Sequence, residues 1–304
     1  MSGMHRNRLK HGGLSLQRAI QLLSAALLNG YIVGFQKGKI FTGGFKTVCV
    51  PVLNCYSCPG ALGACPIGSL QATLGVKHHF PFYVLGLMTL FGVLLGRLVC
   101  GLLCPFGLVQ DLLYKIPFHK RNVPKKIDRP ARYLKYCVLF VLVILLPAFA
   151  ASESGITPPY FCKYLCPAGT LEGGIPHVLL NPQLRKTAGV LFDWKLLILF
   201  FIVLASTIIP RPFCRYLCPL GAFYSLFNRF SFFQMHVDKD KCIGCRACER
   251  ACPMVVEVTK NCNSAECIRC GKCKTVCPTN AISWNFTGKV PASEPKAIET
   301  ADKA

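Results

Sequence analysis

Acidic residues are scarce in this chain of 304 residues: 13 Asp and Glu stand against 35 Lys and Arg, a formal net charge of +22. Charge of either sign is thin, 16% of residues against about 25% in an average soluble domain. That shortage argues against an ordinary cytosolic enzyme. The basic excess is not spread over a polar surface, which argues against a nucleic-acid partner. There is no P-loop, no dinucleotide fingerprint after a strand and no nucleophile elbow. The seven histidines are His5, His11, His78, His79, His119, His177 and His236. None sits deep in an apolar run, so membrane haem held by two histidines has no ligands. No ionisable residue stands mid-run as in an ion pump, and Arg97 falls near a run's end.

What the chain has in excess is apolar sequence, 52% of residues, and cysteine, twenty in all. Four runs approach the roughly 20 apolar residues that cross a bilayer: about 19–36, 80–100, 133–151 and 193–210. The third contains VLFVLVILLP and the fourth LLILFFIVLASTII. Glycines interrupt the second, which membrane helices tolerate. Gln21, Ser24 and Asn29 dilute the first, which resembles an uncleaved signal anchor. Lys and Arg gather in the N-terminal tail (Arg6, Arg8, Lys10, Arg18) and between runs two and three (Lys115 to Arg132). Basic loops stay in the cytoplasm. Both termini are therefore expected inside a prokaryotic cytoplasmic membrane, with the chain multi-pass.

Residues 242–253 read C-I-G-C-R-A-C-E-R-A-C-P and residues 267–278 read C-I-R-C-G-K-C-K-T-V-C-P. Each is C-x2-C-x2-C-x3-C-P, the two-cluster ferredoxin pattern, in which the fourth thiolate of each run serves the other cluster. One [4Fe-4S] cluster is expected on Cys242, Cys245, Cys248 and Cys277, the other on Cys267, Cys270, Cys273 and Cys252. Zinc sites usually use two C-x2-C pairs, which neither fused run offers. Cys262, between the runs, has no partner at motif spacing and reads as a buried or loop thiol.

The apolar part holds a repeat: C-G-L-L-C-P-F-G at 100–107, C-K-Y-L-C-P-A-G at 162–169 and C-R-Y-L-C-P-L-G at 214–221. A partial copy, C-P-I-G at 65–68, follows Cys55 and Cys58. C-x3-C predicts two thiols on one helix face, a turn apart. The proline then breaks that helix or opens the next. Short amphipathic stretches follow and read as interfacial helices. Cys100, Cys104, Cys214 and Cys218 fall at the inner ends of runs, so an inner [4Fe-4S] cluster is expected on them. An outer one is expected on Cys162, Cys166, Cys65 and either Cys58 or Cys55. Disulfides or a transient dithiol compete for the outer cysteines. Cys49 reads as a buried thiol or a substitute outer ligand, and Cys137 as a thiol within run three.

The expected fold is mainly α. A four-span helical membrane domain of two parallel repeats precedes an α+β ferredoxin domain of the two-cluster bacterial type. The segments are a cytoplasmic tail at 1–18, the membrane domain at 19–236, the ferredoxin domain at 237–288 and a disordered tail at 289–304.

On these motifs the chain resembles the membrane polyferredoxins of the nitrate reductase H-subunit type and the C-terminal half of the nitrous oxide reductase regulators. The resemblance implies electron movement between the quinol pool and reductases outside the membrane. The additional Cys55/Cys58/Cys65 and Cys162/Cys166 motifs depart from that pattern, and no large flavin domain is present. The expectation is a membrane iron–sulfur electron-transfer protein, part of a quinol dehydrogenase-like system with no separate substrate site. It would relay electrons between a cytoplasmic or quinol donor and an extracytoplasmic redox protein, with a bound quinone as a further candidate cofactor. The alternative is a redox-sensing or metalloenzyme-maturation factor that uses its cysteines to hold metal or cycle as dithiols.

Overall fold

The computed structural model describes residues 16–76, 80–121, 123–150, 157–187 and 189–286. Both tails, His5, His11, His78 and His79 lie outside the described residues. Two helices, Lys125–Phe149 and Val190–Ile208, are long and apolar enough to cross a membrane. They cover the third and fourth predicted runs. The wide π-helical turns at Val138–Leu145 run up to Pro147, whose ring carries no N–H.

The first two runs are broken. Leu16–Leu28 has 13 residues and Phe82–Leu95 has 14. At 1.5 Å per residue neither reaches across a hydrocarbon core of about 30 Å. The chain turns at Asn29–Gly30 and resumes as Ile32–Lys37. The second run stops at Gly96, whose φ of +56° belongs to the left-handed region. A Cβ there would stand 2.6 Å from Asn228 Oδ1 and 2.7 Å from Arg269 Nη1. Two short helices follow, Leu98–Leu102 and Pro105–Leu113.

Four motif helices each open with proline directly after a cysteine N-cap. They are Pro66–Leu74, Pro105–Leu113, the helical stretch that opens with Pro167–Gly169, and Pro219–Phe227. Proline at the first position costs no hydrogen bond and presets φ. The thiol pairs therefore straddle a junction instead of sharing one helix. Cys100, Cys162 and Cys214 lie in short helices, while Cys104, Cys166 and Cys218 are extended N-caps. These helices bury one face against the protein. In Pro219–Phe227 the buried residues are Pro219, Leu220, Gly221, Ala222, Tyr224 and Ser225. Their apolar faces meet one another, and one core joins Ile67, Phe106, Phe161, Phe213 and Leu220 to the cysteines.

The C-terminal unit is closed by strands β1 (Gln234–Val237) and β2 (Ile282–Asn285), antiparallel from Gln234↔Asn285 to Val237↔Ile282. β1 thus starts just upstream of the expected boundary at 237. Both cysteine runs lie between the strands, with short helices Ala247–Arg250 and Lys272–Thr275.

This unit is docked on the helices by buried polar groups. The Glu266 carboxylate lies 3.2 Å from Arg97 Nη1 and 2.5 Å from Lys135 Nζ. Arg269 donates to the carbonyls of Leu95 (2.9 Å) and Asn228 (2.6 Å). Asn228 Nδ2 donates to the carbonyls of Ser264 (2.6 Å) and Cys267 (2.8 Å). Fully buried Arg97 and Lys135 side chains require such partners, because an unpaired buried charge costs several kcal/mol.

Candidate iron–sulfur sites

The ferredoxin unit builds two cysteine-lined cavities. One is lined by Cys242, Cys245, Cys248 and Cys277, with Ile243 and Ile282. The other is lined by Cys252, Cys267, Cys270 and Cys273, with Met254, Ile268 and Cys262. The fourth cysteine of each run has crossed to the other run's cavity. Burial pushes the Cys267 and Cys273 thiols up to about 12. Cys262 donates its S–H to the Met235 carbonyl at 3.0 Å.

Cys100, Cys104, Cys214 and Cys218 form a third set, all buried. Each thiol stands within electrostatic reach of others in the set. Gln110 donates from Nε2 to Cys214 Sγ (3.1 Å) and accepts from the Phe213 amide (3.1 Å). The Gly221 amide donates to Cys218 Sγ at 3.3 Å. Arg211 pairs with Asp111 through two bonds of 2.9 and 2.7 Å and donates to the Cys100 carbonyl at 2.9 Å. Arg97 Nη2 donates to the Cys214 carbonyl at 3.3 Å. Two fully buried guanidinium groups thus flank the set, an environment suited to an anionic group. The ferredoxin loop sits directly on it: a Cβ on Gly101 would stand 2.2 Å from the Ile268 carbonyl oxygen and 3.5 Å from the Cys270 amide. Arg211 lies within electrostatic reach of both Cys214 and Cys270.

The fourth set surrounds a cavity of about 700 Å³ lined by Cys55, Cys65, Cys162 and Cys166. Of the alternatives Cys58 and Cys55, it is Cys55 that lines the cavity. A Cβ on Gly169 would lie 3.6 Å from the Sγ atoms of both Cys166 and Cys55. The Cys55 amide is held by the Glu172 carboxylate at 2.7 Å, which fixes the loop. Cys58 is buried outside the cavity lining, near the Lys46 ammonium. Cys49 is buried and paired through its backbone with Ala64. Burial pushes the Cys55 and Cys162 thiols up to about 12 and Cys65 to about 11. Burial also lifts Glu172 to about 7. Gln71 donates to Cys162 Sγ (3.4 Å) and accepts from the Phe161 amide (2.9 Å). The Gly169 amide donates to Cys166 Sγ at 3.3 Å. Cys137 is exposed and belongs to no set.

Cysteines were the only site residues legible in the sequence. Gln71, Gln110, Glu172, Arg97 and Arg211 were not singled out. A signal existed: superposing the four C-P-x-G motifs places Gln71, Gln110, Glu172 and Tyr224 at one position, six residues after the N-cap cysteine.

The sites fit iron–sulfur cubanes. Burial disfavours a free thiolate in the second ferredoxin cavity and in the fourth set, and metal ligation offsets this by deprotonating the thiol outright. Among the described residues no three His, Cys, Asp or Glu are grouped as a single metal ion requires. Asn54, fully buried on the fourth cavity, has no partner for either amide atom, so it can donate to a bound acceptor.

The chain matches the 4Fe-4S binding domain three times, at 78–126, 138–177 and 194–238, with further matches to domains of that description at 233–254 and 263–283. It is 35% identical over 177 residues to one uncharacterised protein of Methanocaldococcus jannaschii, covering 56% of this chain and 57% of that one. A second from the same organism is 33% identical over 203 residues, covering 65% of this chain and 75% of that one. The methylamine utilization ferredoxin-type protein MauN of Paracoccus denitrificans is 28% identical over 271 residues, covering 83% and 82%. No solved structure matches the chain. The class is therefore that of ferredoxin-type iron–sulfur proteins of electron transport. Within it, the chain belongs to the 4Fe-4S polyferredoxin family of the NapH/NosR type.

Proposed function

We propose that the chain is a membrane electron relay with four [4Fe-4S] clusters. The observation that carries this reading is the continuity of the thiol sets. The ferredoxin site of Cys252, Cys267, Cys270 and Cys273 rests against the inner set through Ile268, Cys270 and Arg211. The inner set shares one core with cysteines of the outer set. Lys125–Phe149 and Val190–Ile208 would anchor the chain in the bilayer. The broken helices at 16–37 and 82–113 would enter it beside them, which membranes accept where protein covers the irregular backbone. The ferredoxin unit would face the cytoplasm and the outer set an extracytoplasmic redox protein.

When bound, the clusters supply one-electron chemistry. The residues of the chain hold and bias them. Cysteines ligate, Gln71 and Gln110 donate to thiolate sulfur, and Arg97 and Arg211 balance negative charge. The donor, a cytoplasmic reductant or quinol, belongs to the same proposal.

Anaerobic iron and sulfide quantification tests the reading. Four cubanes require about sixteen irons per chain. The Cys104→Ala/Cys218→Ala protein should lose about four. Substitution is preferable to truncation, because removing Glu266 would leave Arg97 and Lys135 unpaired. About eight irons in the unmodified chain would leave only the ferredoxin clusters and favour a maturation or redox-sensing factor.

A further inference from the structure

Of the four residues at the shared motif position, three bond a group of one thiol set: Gln71 to Cys162, Gln110 to Cys214 and Glu172 to Cys55. Tyr224 does something else. Its side chain is fully buried, and its hydroxyl donates to the Pro51 carbonyl at 3.0 Å. The helix that carries it starts at Cys218 of the inner set. The loop it reaches continues into Leu53, Asn54 and Cys55, which line the outer cavity. From Cys218 to Tyr224 the helix rises only about 9 Å. Pro219–Phe227 also packs on Pro66–Leu74, the helix that starts at Cys65 of the outer set. Thiols of both sets, Cys100 and Cys104 on one side and Cys65 on the other, lie within electrostatic reach of the phenol.

We propose that Tyr224 bridges the inner and outer thiol sets and is the contact through which an electron passes between them. This rests on the reading that both sets hold iron–sulfur clusters. One electron leaves the reduced inner group and arrives at the oxidised outer group. No bond forms or breaks. Tyr224 stays a protonated phenol, because the carbonyl it donates to is no base. The bridge places the two sets within a fraction of a bilayer of each other, so no second carrier is needed between them.

The test uses the full chain with its clusters, purified anaerobically and assayed first for iron. Its fully reduced electron paramagnetic resonance spectrum should show spin–spin splitting between the inner and outer sets. The splitting should be lost in Cys162→Ser and in Cys214→Ser. Because it is read on the unmodified chain, it holds even if a Tyr224 variant misfolds. In vesicles with the ferredoxin unit outward, external dithionite followed by freeze-quenching reads the rate at which the Cys162-dependent signal appears. Tyr224→Phe should keep that rate. Tyr224→Leu should slow it roughly tenfold or more, since a void replaces packed atoms on the route. About sixteen irons with no splitting, or with Tyr224→Leu at the unmodified rate, would overturn the bridge and leave the relay reading intact. About eight irons would overturn both.

Discussion

Gln71 and Gln110 occupy equivalent positions, and each ties a thiol to a neighbouring amide. Each donates from Nε2 to the first cysteine of a C-x3-C motif, at 3.4 and 3.1 Å, and each accepts a backbone N–H from the residue before that cysteine. A donor to thiolate sulfur stabilises the more negative, reduced state, and such bonds help set cluster potentials. Gln110→Leu should lower the midpoint potential of one cluster by up to roughly 65 mV, given bonds to charged groups near 1.5 kcal/mol and about 59 mV per tenfold for one electron. A spectroscopic redox titration reads this, and an unchanged potential would remove the tuning role. Asp111 is the second residue with a defined consequence. Burial disfavours its ionisation, but the Arg211 guanidinium outweighs burial and holds the carboxyl below its ordinary value of 3.8. A depressed folded-state value stabilises the protein above about pH 4 and is lost as pH falls further. Asp111→Asn should remove that acid-side loss while costing about 3–5 kcal/mol at neutral pH, because Arg211 stays buried and unpaired. Denaturant unfolding at a series of pH values checks both.

At the scale of elements, the repeated unit is a short helix, a cysteine N-cap, a proline and a second helix. Proline sets the junction and the cap amide addresses the thiol, as the 3.3 Å bonds from Gly169 to Cys166 and from Gly221 to Cys218 show. Leu98–Leu102 must also admit the ferredoxin loop, and only a residue without Cβ lets Gly101 meet Ile268. Gly101→Ala should force that loop back and cost about 1–3 kcal/mol of docking. Faster hydrogen exchange at residues 264–273, with iron in the ferredoxin sites retained, would report it. Unchanged exchange would show that the backbone absorbs the methyl elsewhere.

At the scale of the molecule, the ferredoxin unit and the helices are joined by a charged seam. Arg97, Lys135 and Glu266 converge inside it, and Glu257 with Lys125 marks its exposed rim. Glu266→Ala leaves two buried cations without their carboxylate and should destabilise the joint by about 3–5 kcal/mol. The Lys125–Glu257 pair is solvent-exposed, and its loss should cost well under about 1 kcal/mol. Limited proteolysis between Arg229 and Val237 separates these outcomes: early release of the C-terminal unit is expected for Glu266→Ala and not for Glu257→Ala. Equal resistance of the two variants would show that the apolar core alone holds the units together.

Much of this was determined by the sequence alone, for a chemical reason. A cysteine run with fixed spacing closes on itself locally, so the grouping of the ferredoxin cysteines around two cavities, with the fourth of each run crossing over, was legible as a pattern. C-x3-C-P marked the other thiols for the same reason. Long uninterrupted apolar runs marked Lys125–Phe149 and Val190–Ile208. What lay beyond local spacing was decided by tertiary structure. Asn29–Gly30 and Gly96 break the first two runs because close approach to Gly60 and Leu62 at the one, and to Asn228 and Arg269 at the other, is worth more than continuing a helix. Cys55, not Cys58, lines the outer cavity because Glu172, far along the chain, holds its amide. Arg97, which looked like the end of a span, became the buried partner of Glu266. Tyr224 acquired a role only when the fold brought Pro51 to it, since no spacing in a sequence encodes which distant carbonyl a buried phenol will find.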